Sequence, residues 1–445
     1  MPVLRSHLDR FFHITQRHST ISREIIAGLT IFGSMAYIMA VNPAVLAAAG
    51  LARHDMVMTT IAGAVAGTLI MALWARLPLA LAPAMSSNVL FAQVIVQQAH
   101  VNPATAFTIV LFSGLCFTLL SITKLRLTII HSFPTSIILG IQVAIGAFIA
   151  RIGLIEAGIA IPSPSGLSFA SLAHPSVILA LMGILLCLLL QLLRIPAGLL
   201  LTMAGLTLIG MVVPGMDGRT LTHLPPHILD WPHYPRHLLF PFDFKDFFQH
   251  LGLVLPITLY VLLSDFFDAT GTMLTVTRHA GLSGTKEHPD LDPRAFTADG
   301  AASVIGALLG TCTVSAYLES LTGAEAGGRT GLSALIVAIL FAASCVFWPL
   351  LTAIPAIATA PVLVFVGIMM LSHLRDLPSA MEDAFPPLCM LLITVVTGNF
   401  MLSLACGMLL YTATALIKGK ARTLPPIIWG LDGAFLCYMV LQGRF

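Results

Sequence analysis

The segment Pro78-Leu-Ala-Leu-Ala-Pro-Ala-Met-Ser-Ser-Asn88 begins as an apolar stretch and ends in a cluster of small polar residues. Because its two prolines disfavour a continuous helix, we predict an extended piece joined to a half-helix. A second stretch, Gly310-Thr-Cys-Thr-Val-Ser-Ala-Tyr-Leu-Glu319, begins with small polar and β-branched residues and ends at a carboxylate, which predicts the same arrangement. Two interrupted segments in corresponding halves of an apolar chain indicate a binding site at the membrane midplane.

The composition around these segments predicts an integral membrane protein. Of the 445 residues, 57% are hydrophobic and 9% are charged, with a mean hydropathy of +0.94. A soluble domain carries about 25% charged residues, so the lipid bilayer is the expected solvent. The net charge of +2 does not favour nucleic acid as a partner. The seven cysteines occur singly in apolar runs, and neither they nor the histidines have the spacing of a metal site.

The apolar runs are long and continuous, which favours helices, since a spanning helix needs roughly 20 apolar residues. We predict fourteen spans, at 24–46, 56–75, 78–97, 104–122, 133–152, 175–193, 196–214, 248–276, 295–310, 312–325, 330–349, 355–373, 384–398 and 400–417. A last apolar stretch, from Ile427 to Leu441, is short and contains Asp432, so we predict that it lies in the membrane interface.

The basic residues indicate the orientation. With a cytoplasmic N-terminus and fourteen spans, most of the 22 Lys and Arg residues fall in cytoplasmic connections, as the positive-inside rule requires. The stretch from Met1 to Arg23 is predicted to be a basic amphipathic lead-in and not a signal peptide. Both termini are therefore predicted to be cytoplasmic, in a bacterial inner membrane or a plasma membrane.

Ionisable residues inside predicted spans are functional candidates, because burying them in lipid is costly. Asp265, Asp268 and Thr272 follow one another at i, i+3 and i+7, so one helix face presents two carboxyls and a hydroxyl. Two carboxyls one turn apart repel as anions, which predicts that a proton binds there near neutral pH. One aspartate could instead cap the neighbouring broken helix.

Two further candidates come from the interrupted segments. Glu319 is expected in the first turn of a half-helix, where it could accept hydrogen bonds from a ring or satisfy the helix dipole. Its neighbour Leu318 is included as a substrate-binding candidate. Asn88 offers a donor and an acceptor to a flat heterocycle, or could serve helix packing. No nucleophile elbow, Walker loop, dinucleotide fingerprint or HExxH motif occurs, so the sequence does not predict an enzyme.

Several motifs in order resemble those of AzgA-like purine permeases, within the nucleobase/cation symporter superfamily that also holds uracil and xanthine permeases. The resemblance covers most of the chain and is carried by Arg23-Glu-Ile-Ile-Ala-Gly-Leu-Thr30, Met35-Ala-Tyr-Ile-Met-Ala-Val-Asn-Pro43, Ala80-Leu-Ala-Pro83, Asp265-Phe-Phe-Asp-Ala-Thr-Gly-Thr272, Gly306-Ala-Leu-Leu-Gly-Thr311, Tyr317-Leu-Glu-Ser320 and Ala326-Gly-Gly-Arg-Thr-Gly-Leu332. One departure stands out: Ala84 and Ser86 occupy positions where the family usually has glycine.

The resemblance implies an all-α polytopic fold of two inverted seven-helix repeats, with broken spans 3 and 10, commonly assembled as a homodimer. It divides the chain into a lead-in (1–23), core parts (24–122 and 248–349), gate parts (123–214 and 350–417), an extracellular connection (215–247) and a cytoplasmic tail (418–445). It also implies that Asp268, Glu319 and Asn88 hold the base, with Asp265 as a second acidic position.

The sequence therefore predicts a proton-coupled symporter that imports a purine nucleobase, namely hypoxanthine, guanine or adenine, by alternating access. No cofactor is expected, and H⁺ is the coupling ion, carried by Asp265, Asp268 and Glu319. Two alternatives remain open at this point. One is an anion exchanger or channel with the same inverted-repeat fold, and the other is a uracil or xanthine permease.

Overall fold

The computed structural model describes residues 2–123, 134–163, 166–171, 174–215, 220–283, 292–419, 424 and 426–442. Predicted spans, connections and the cytoplasmic tail that include other residues are described only within these ranges. The helices are α1 Pro2–Phe12, α2 Ile21–Met35, α3 Ile38–Ala47, α4 Arg53–Ile70, α5 Met85–Val89, α6 Pro103–Ile122, α7 Thr135–Glu156, α8 Pro175–Leu192, α9 Gly198–Ile209, α10 Phe244–Gln249, α11 Leu251–His279, α12 Pro293–Leu308, α13 Ser320–Glu325, α14 Gly331–Ser344, α15 Trp348–Ala353, α16 Ala356–Leu371, α17 Met381–Thr397, α18 Phe400–Ile417 and α19 Pro426–Gln442.

Helices dominate because a backbone surrounded by lipid must satisfy its own hydrogen bonds. Within the described ranges, nine helical segments are long and apolar enough to cross a membrane. They are Ile21–Ala47, Arg53–Ala75, Pro103–Ile122, Thr135–Glu156, Pro175–Leu192, Leu251–His279, Gly331–Ala353, Ala356–Asp376 and Phe400–Ile417. The chain is thus a mostly helical integral membrane protein, and the count of fourteen spans stays a prediction.

In the part of the chain that the structure describes, the fold is not purely helical, because four short strands form two ribbons: β1 Leu81–Pro83 with β4 Val314–Ala316, and β2 Ala160–Ser163 with β3 Gly166–Phe169. The pair β1–β4 is antiparallel, with Leu81 opposite Ala316. Helix α5 follows β1 and continues as a π-helical stretch, Leu90–Gln98, while α13 follows β4. The two stretches singled out by their prolines and small polar residues therefore pair with each other through their backbones.

The helices pack in two groups. In the first group, α12 packs along α4 and α6, α14 packs along α2 and α4, and α11 lies against α6. In the second group, α7 packs along α16 and α17, α8 lies against α16, and α18 lies against α17. The β1–β4 ribbon lies in the first group, where the Thr68 hydroxyl of α4 contacts both the N–H (3.0 Å) and the carbonyl (2.8 Å) of Leu81.

Two segments differ from their sequence-based descriptions. The first predicted span, 24–46, is interrupted at Ala36 and Tyr37, between α2 and α3. The interfacial placement of Ile427 to Leu441 stays a prediction, but Asp432 is buried and not exposed at a surface. Helix α19 packs against α11 and α18, and the buried Asp432 carboxylate accepts a hydrogen bond of 2.5 Å from Thr412. A polar partner on the neighbouring helix thus allows this aspartate to be buried.

Close helix packing in the second group depends on Gly367. A Cβ atom there would lie 2.5 Å from the backbone nitrogen of Ala150 and 2.6 Å from the carbonyl oxygen of Gly146, so α7 and α16 would have to move apart. We expect Gly367→Ala to lower the free energy of unfolding by about 1–3 kcal/mol through overpacking. Gly205→Ala is the matched control, because a Cβ atom at that helical glycine meets nothing within 4 Å. Thermal melting in detergent measures both, and equal melting midpoints would contradict the packing argument.

Candidate functional site

A narrow cavity of about 10 Å³ lies between the two helix groups. The first group contributes two serines, a phenylalanine and an aspartate, and the second contributes a mostly apolar wall with one amide. The residues around it are Ser86, Ser264, Phe267 and Asp268 from the first group, and Ile138, Ile141, Gln142, Ile145 and Met370 from the second. A cavity between two separately packed groups can open when one group moves against the other.

Asp268 is the acidic residue of this cavity. It lies in the middle of α11, next to Ser86 at the start of α5, and the Ser86 hydroxyl donates a hydrogen bond of 3.4 Å to Asp268 Oδ2. The Asp268 carboxylate also interacts electrostatically with Glu319, which lies at the start of α13. The two acidic groups thus come from two different helices, and Asp268 is the one of them that lies among the residues around the cavity.

Glu319 immediately precedes α13 and occupies the N-cap position of that helix. Its Oε1 atom accepts a hydrogen bond of 2.7 Å from the Tyr37 hydroxyl, which comes from the break between α2 and α3. The adjacent Leu318 is 43% exposed. The start of the half-helix thus presents one carboxylate held by a phenol, beside a partly exposed apolar side chain.

Asp265 lies one turn before Asp268 and is buried outside the cavity lining. Its Oδ2 atom accepts a hydrogen bond of 3.1 Å from Ser303 of α12, whereas Oδ1 is buried without a hydrogen-bond partner. Thr272, one turn after Asp268, is also buried and does not line the cavity. The predicted polar face of α11 therefore contacts the cavity through Asp268 and the first helix group through Asp265.

Asn88 is placed differently from the sequence-based expectation of direct contact with the ligand. Its side chain is completely buried, and Nδ2 donates a hydrogen bond of 3.2 Å to the carbonyl of Pro83, at the end of β1. The Oδ1 atom has no partner, and Asn88 is not among the residues around the cavity. In this conformation the amide supports the junction between β1 and α5.

Comparison with known proteins identifies the class. The family model Xan_ur_permease, described as the Permease family, matches residues 22–404. The chain belongs to this permease family. Permeases are transport proteins, so the chain is a transporter and not an enzyme. The resemblance drawn from the sequence motifs is thereby confirmed at the level of the family.

Two relatives and one solved structure extend this result. The permease is 37% identical to the guanine/hypoxanthine permease PbuO of Bacillus subtilis (strain 168), across 94% of this chain and 96% of that protein. It is 31% identical to the adenine permease AdeP of Escherichia coli (strain K12), across 95% of this chain and 93% of that protein. The transmembrane domain of the cyanobacterial bicarbonate transporter BicA has the same fold, with a TM-score of 0.63 at 18% identity, covering 86% of this chain and 96% of that chain.

Sequence reasoning missed a buried acidic residue of the permease, Asp299. It lies in α12, and its carboxylate accepts hydrogen bonds from the Ala316 N–H (2.8 Å) and the Ser315 hydroxyl (3.1 Å) of β4. It also interacts electrostatically with Asp265. The signal was available, because Asp299 lies inside the predicted span 295–310, where any ionisable residue is a candidate.

The chemistry available to the permease follows from these groups. Two carboxylates, each contacted by a hydroxyl, can accept hydrogen bonds from N–H donors of a ring and can bind protons. The apolar wall from α7 and α16 suits the faces of a flat ring. Among the described residues, no three His, Cys, Asp or Glu side chains converge on a point where a metal ion could bind. These groups therefore offer hydrogen-bond acceptors and an apolar face to a solute.

Proposed function

We propose that the permease imports a purine nucleobase together with a proton by alternating access. The observation that carries this proposal is the placement of Asp268 at a cavity between two helix groups, with Glu319 at the start of the half-helix α13. Relatives with 37% and 31% identity are a guanine/hypoxanthine permease and an adenine permease, which supports hypoxanthine, guanine or adenine as the cargo.

We assign the roles as follows. Asp268 and Glu319 accept hydrogen bonds from N–H groups at different edges of the base, and the apolar wall contacts its face. Asp265 and Asp268 form the pair that binds the coupling proton, since two buried carboxyls one turn apart favour sharing a proton over double ionisation. Asn88, Thr272 and Leu318 complete the proposed site, with Asn88 reaching the base only if the β1–α5 junction rearranges.

The architecture that we propose for this mechanism has fourteen spans in two inverted seven-helix repeats, with both termini in the cytoplasm of a bacterial cell and a homodimer in the inner membrane. The two packed groups support a core (24–122 and 248–349) that moves against a gate (123–214 and 350–417). The β1–β4 ribbon supports spans 3 and 10 as interrupted spans of the core.

Uptake by purified protein in liposomes tests the function. Radiolabelled hypoxanthine, guanine and adenine are each offered with and without an inward proton gradient, and a protonophore serves as the control. We expect accumulation of at least one base that depends on the gradient and is abolished by the protonophore. A current that flows without any base would instead favour a channel, and failure of every purine to enter or compete would refute the substrate.

Alternating access requires that contacts between the two groups break. Gln98 is the last residue of the π-helical stretch that continues α5. It donates a hydrogen bond of 2.9 Å to the carbonyl of Gly398, between α17 and α18. Because a neutral hydrogen bond contributes about 0.5–1.5 kcal/mol, Gln98→Ala should shift the balance towards the conformation open on that side by about two- to tenfold. To measure this shift, a cysteine is introduced at the cavity by Gln142→Cys, with and without Gln98→Ala. The rate at which a membrane-impermeant thiol reagent, added outside, labels this cysteine is then compared.

Gln97→Ala is the matched control for this experiment. The neighbouring Gln97 amide donates to the Ala48 carbonyl, at 2.7 Å, within the first helix group. Its removal should leave the labelling rate unchanged, and the protein without the introduced cysteine gives the background from native thiols. Equal labelling of the two glutamine variants would show that the Gln98 contact does not restrict access.

A further inference from the structure

Each carboxylate of the candidate site accepts a hydrogen bond from a hydroxyl on a different segment of the chain. The Tyr37 hydroxyl lies 2.7 Å from Glu319 Oε1, and the Ser86 hydroxyl lies 3.4 Å from Asp268 Oδ2. The other oxygen of each carboxylate is not used by these contacts. Each of the two acidic groups is thus contacted by one hydroxyl through one of its oxygens.

Tyr37 is placed by the break in the first predicted span. Helix α2 ends at Met35 and α3 begins at Ile38, so Tyr37 lies at a local irregularity of the segment Ile21–Ala47, where the backbone keeps helical dihedral angles. Its side chain is only 1% exposed, and a buried phenol hydroxyl requires a partner. A second contact, 3.2 Å between the hydroxyls of Ser34 and Thr322, joins the end of α2 to α13. Tyr37 is therefore held against Glu319 by a fixed backbone.

Ser86 lies at the start of α5 and is one of the residues around the cavity. The next residue, Ser87, is equally buried, but its hydroxyl has no hydrogen-bond partner. The two adjacent serines therefore share burial but differ in hydrogen bonding. This difference shows that the Ser86 contact with Asp268 is not a general property of hydroxyls in this turn.

We propose that Tyr37 and Ser86 are positioning residues that fix the orientation of Glu319 and Asp268 for the ligand. A carboxylate can rotate and has two acceptor oxygens, so a hydroxyl on one oxygen directs the other towards an N–H donor of the base. The orientation is then set before the base arrives, which reduces the ordering that binding requires. This inference rests on the proposed function, because it assigns the ligand of the two carboxylates as a purine.

The test uses two pairs of variants with matched chemistry. Tyr37→Phe removes the hydroxyl on Glu319, whereas Tyr234→Phe removes a half-buried phenol hydroxyl outside the cavity lining, which donates to the Leu309 carbonyl at 2.5 Å. Ser86→Ala is compared with Ser87→Ala. We expect Tyr37→Phe to raise KM for purine uptake about tenfold, and Ser86→Ala about threefold because its contact is longer, with kcat changed less than KM. The two control variants should keep the wild-type KM.

An infrared measurement without ligand provides an independent readout. The carboxylate bands of Glu319 and Asp268 are assigned from the spectra of Glu319→Gln and Asp268→Asn. Tyr37→Phe should shift the Glu319 band and Ser86→Ala the Asp268 band, while the controls leave both in place. Unshifted bands, or equal KM values within each pair, would overturn the positioning role. If wild-type protein transports no purine, the proposed function fails, whatever the infrared spectra show.

Discussion

Asp268→Asn is expected to reduce proton-driven purine uptake by about 100-fold, since it removes both a charged acceptor and a proton-binding group from the cavity. A hydrogen bond to a charged group contributes about 1.5–3 kcal/mol, and each 1.4 kcal/mol corresponds to about tenfold in binding. Asparagine has nearly the same shape, so the fold should be preserved and its melting midpoint unchanged. Initial rates in liposomes with a defined pH gradient measure the effect.

The control makes the same chemical change at Asp376, which is exposed at the end of the segment after α16. Asp376→Asn should transport at the wild-type rate. If Asp268→Asn also does so, Asp268 has no part in binding or coupling. Exchange of base across the membrane without a pH gradient separates the two roles, because a residue needed only for coupling would leave this exchange intact.

The second large effect is expected at Asp299. Asp299→Ala leaves the Ala316 N–H and the Ser315 hydroxyl buried without their acceptor, and each unsatisfied donor costs about 1–3 kcal/mol. We therefore expect the free energy of unfolding to fall by about 3 kcal/mol. Because β4 leads directly to Glu319, we also expect uptake to fall at least about tenfold, as the carboxylate loses its fixed position. Thermal melting in detergent and uptake in liposomes measure the two effects.

Asp299→Asn tests the cause, because its amide oxygen can still accept from the Ala316 N–H. This variant should recover part of the stability lost in Asp299→Ala. Truncation of an exposed aspartate, as in Asp376→Ala, should change neither stability nor uptake. A melting midpoint of Asp299→Ala equal to that of the wild type would mean that β4 does not depend on this carboxylate.

The sequence was most informative about ionisable residues that lie within apolar segments. Asp265, Asp268 and Glu319 could be identified because ionisable groups are rare in apolar segments, and the spacing of the two aspartates predicted their common helix face. The prolines and small polar residues of 78–88 and 310–319 indicated extended backbone. That these stretches pair with each other could not be read from local patterns, since the partners are more than 200 residues apart.

Three features of the site lay outside the reach of pattern analysis. In the sequence, Tyr37 is an ordinary residue of an apolar span. Its hydroxyl contacts Glu319, which lies 282 residues later in the chain, so no local pattern shows the contact. The Asn88 amide has a donor and an acceptor that suit a bound base, but its N–H group donates to the nearby carbonyl of Pro83. The sequence shows a serine at position 86, where the family usually has glycine. It does not show that the Ser86 hydroxyl contacts Asp268.

The ribbon of β1 and β4 has a consequence for the size of the solute. Ser86 follows the end of β1 by three residues, and Glu319 follows the end of β4 by three residues. Because the pairing is antiparallel, the two strands end at opposite ends of the ribbon, so the length of the ribbon sets the distance between the two strand ends. We therefore expect the distance between the two strand ends to change little when a larger solute binds. The ribbon would then limit the size of the solute that the site accepts.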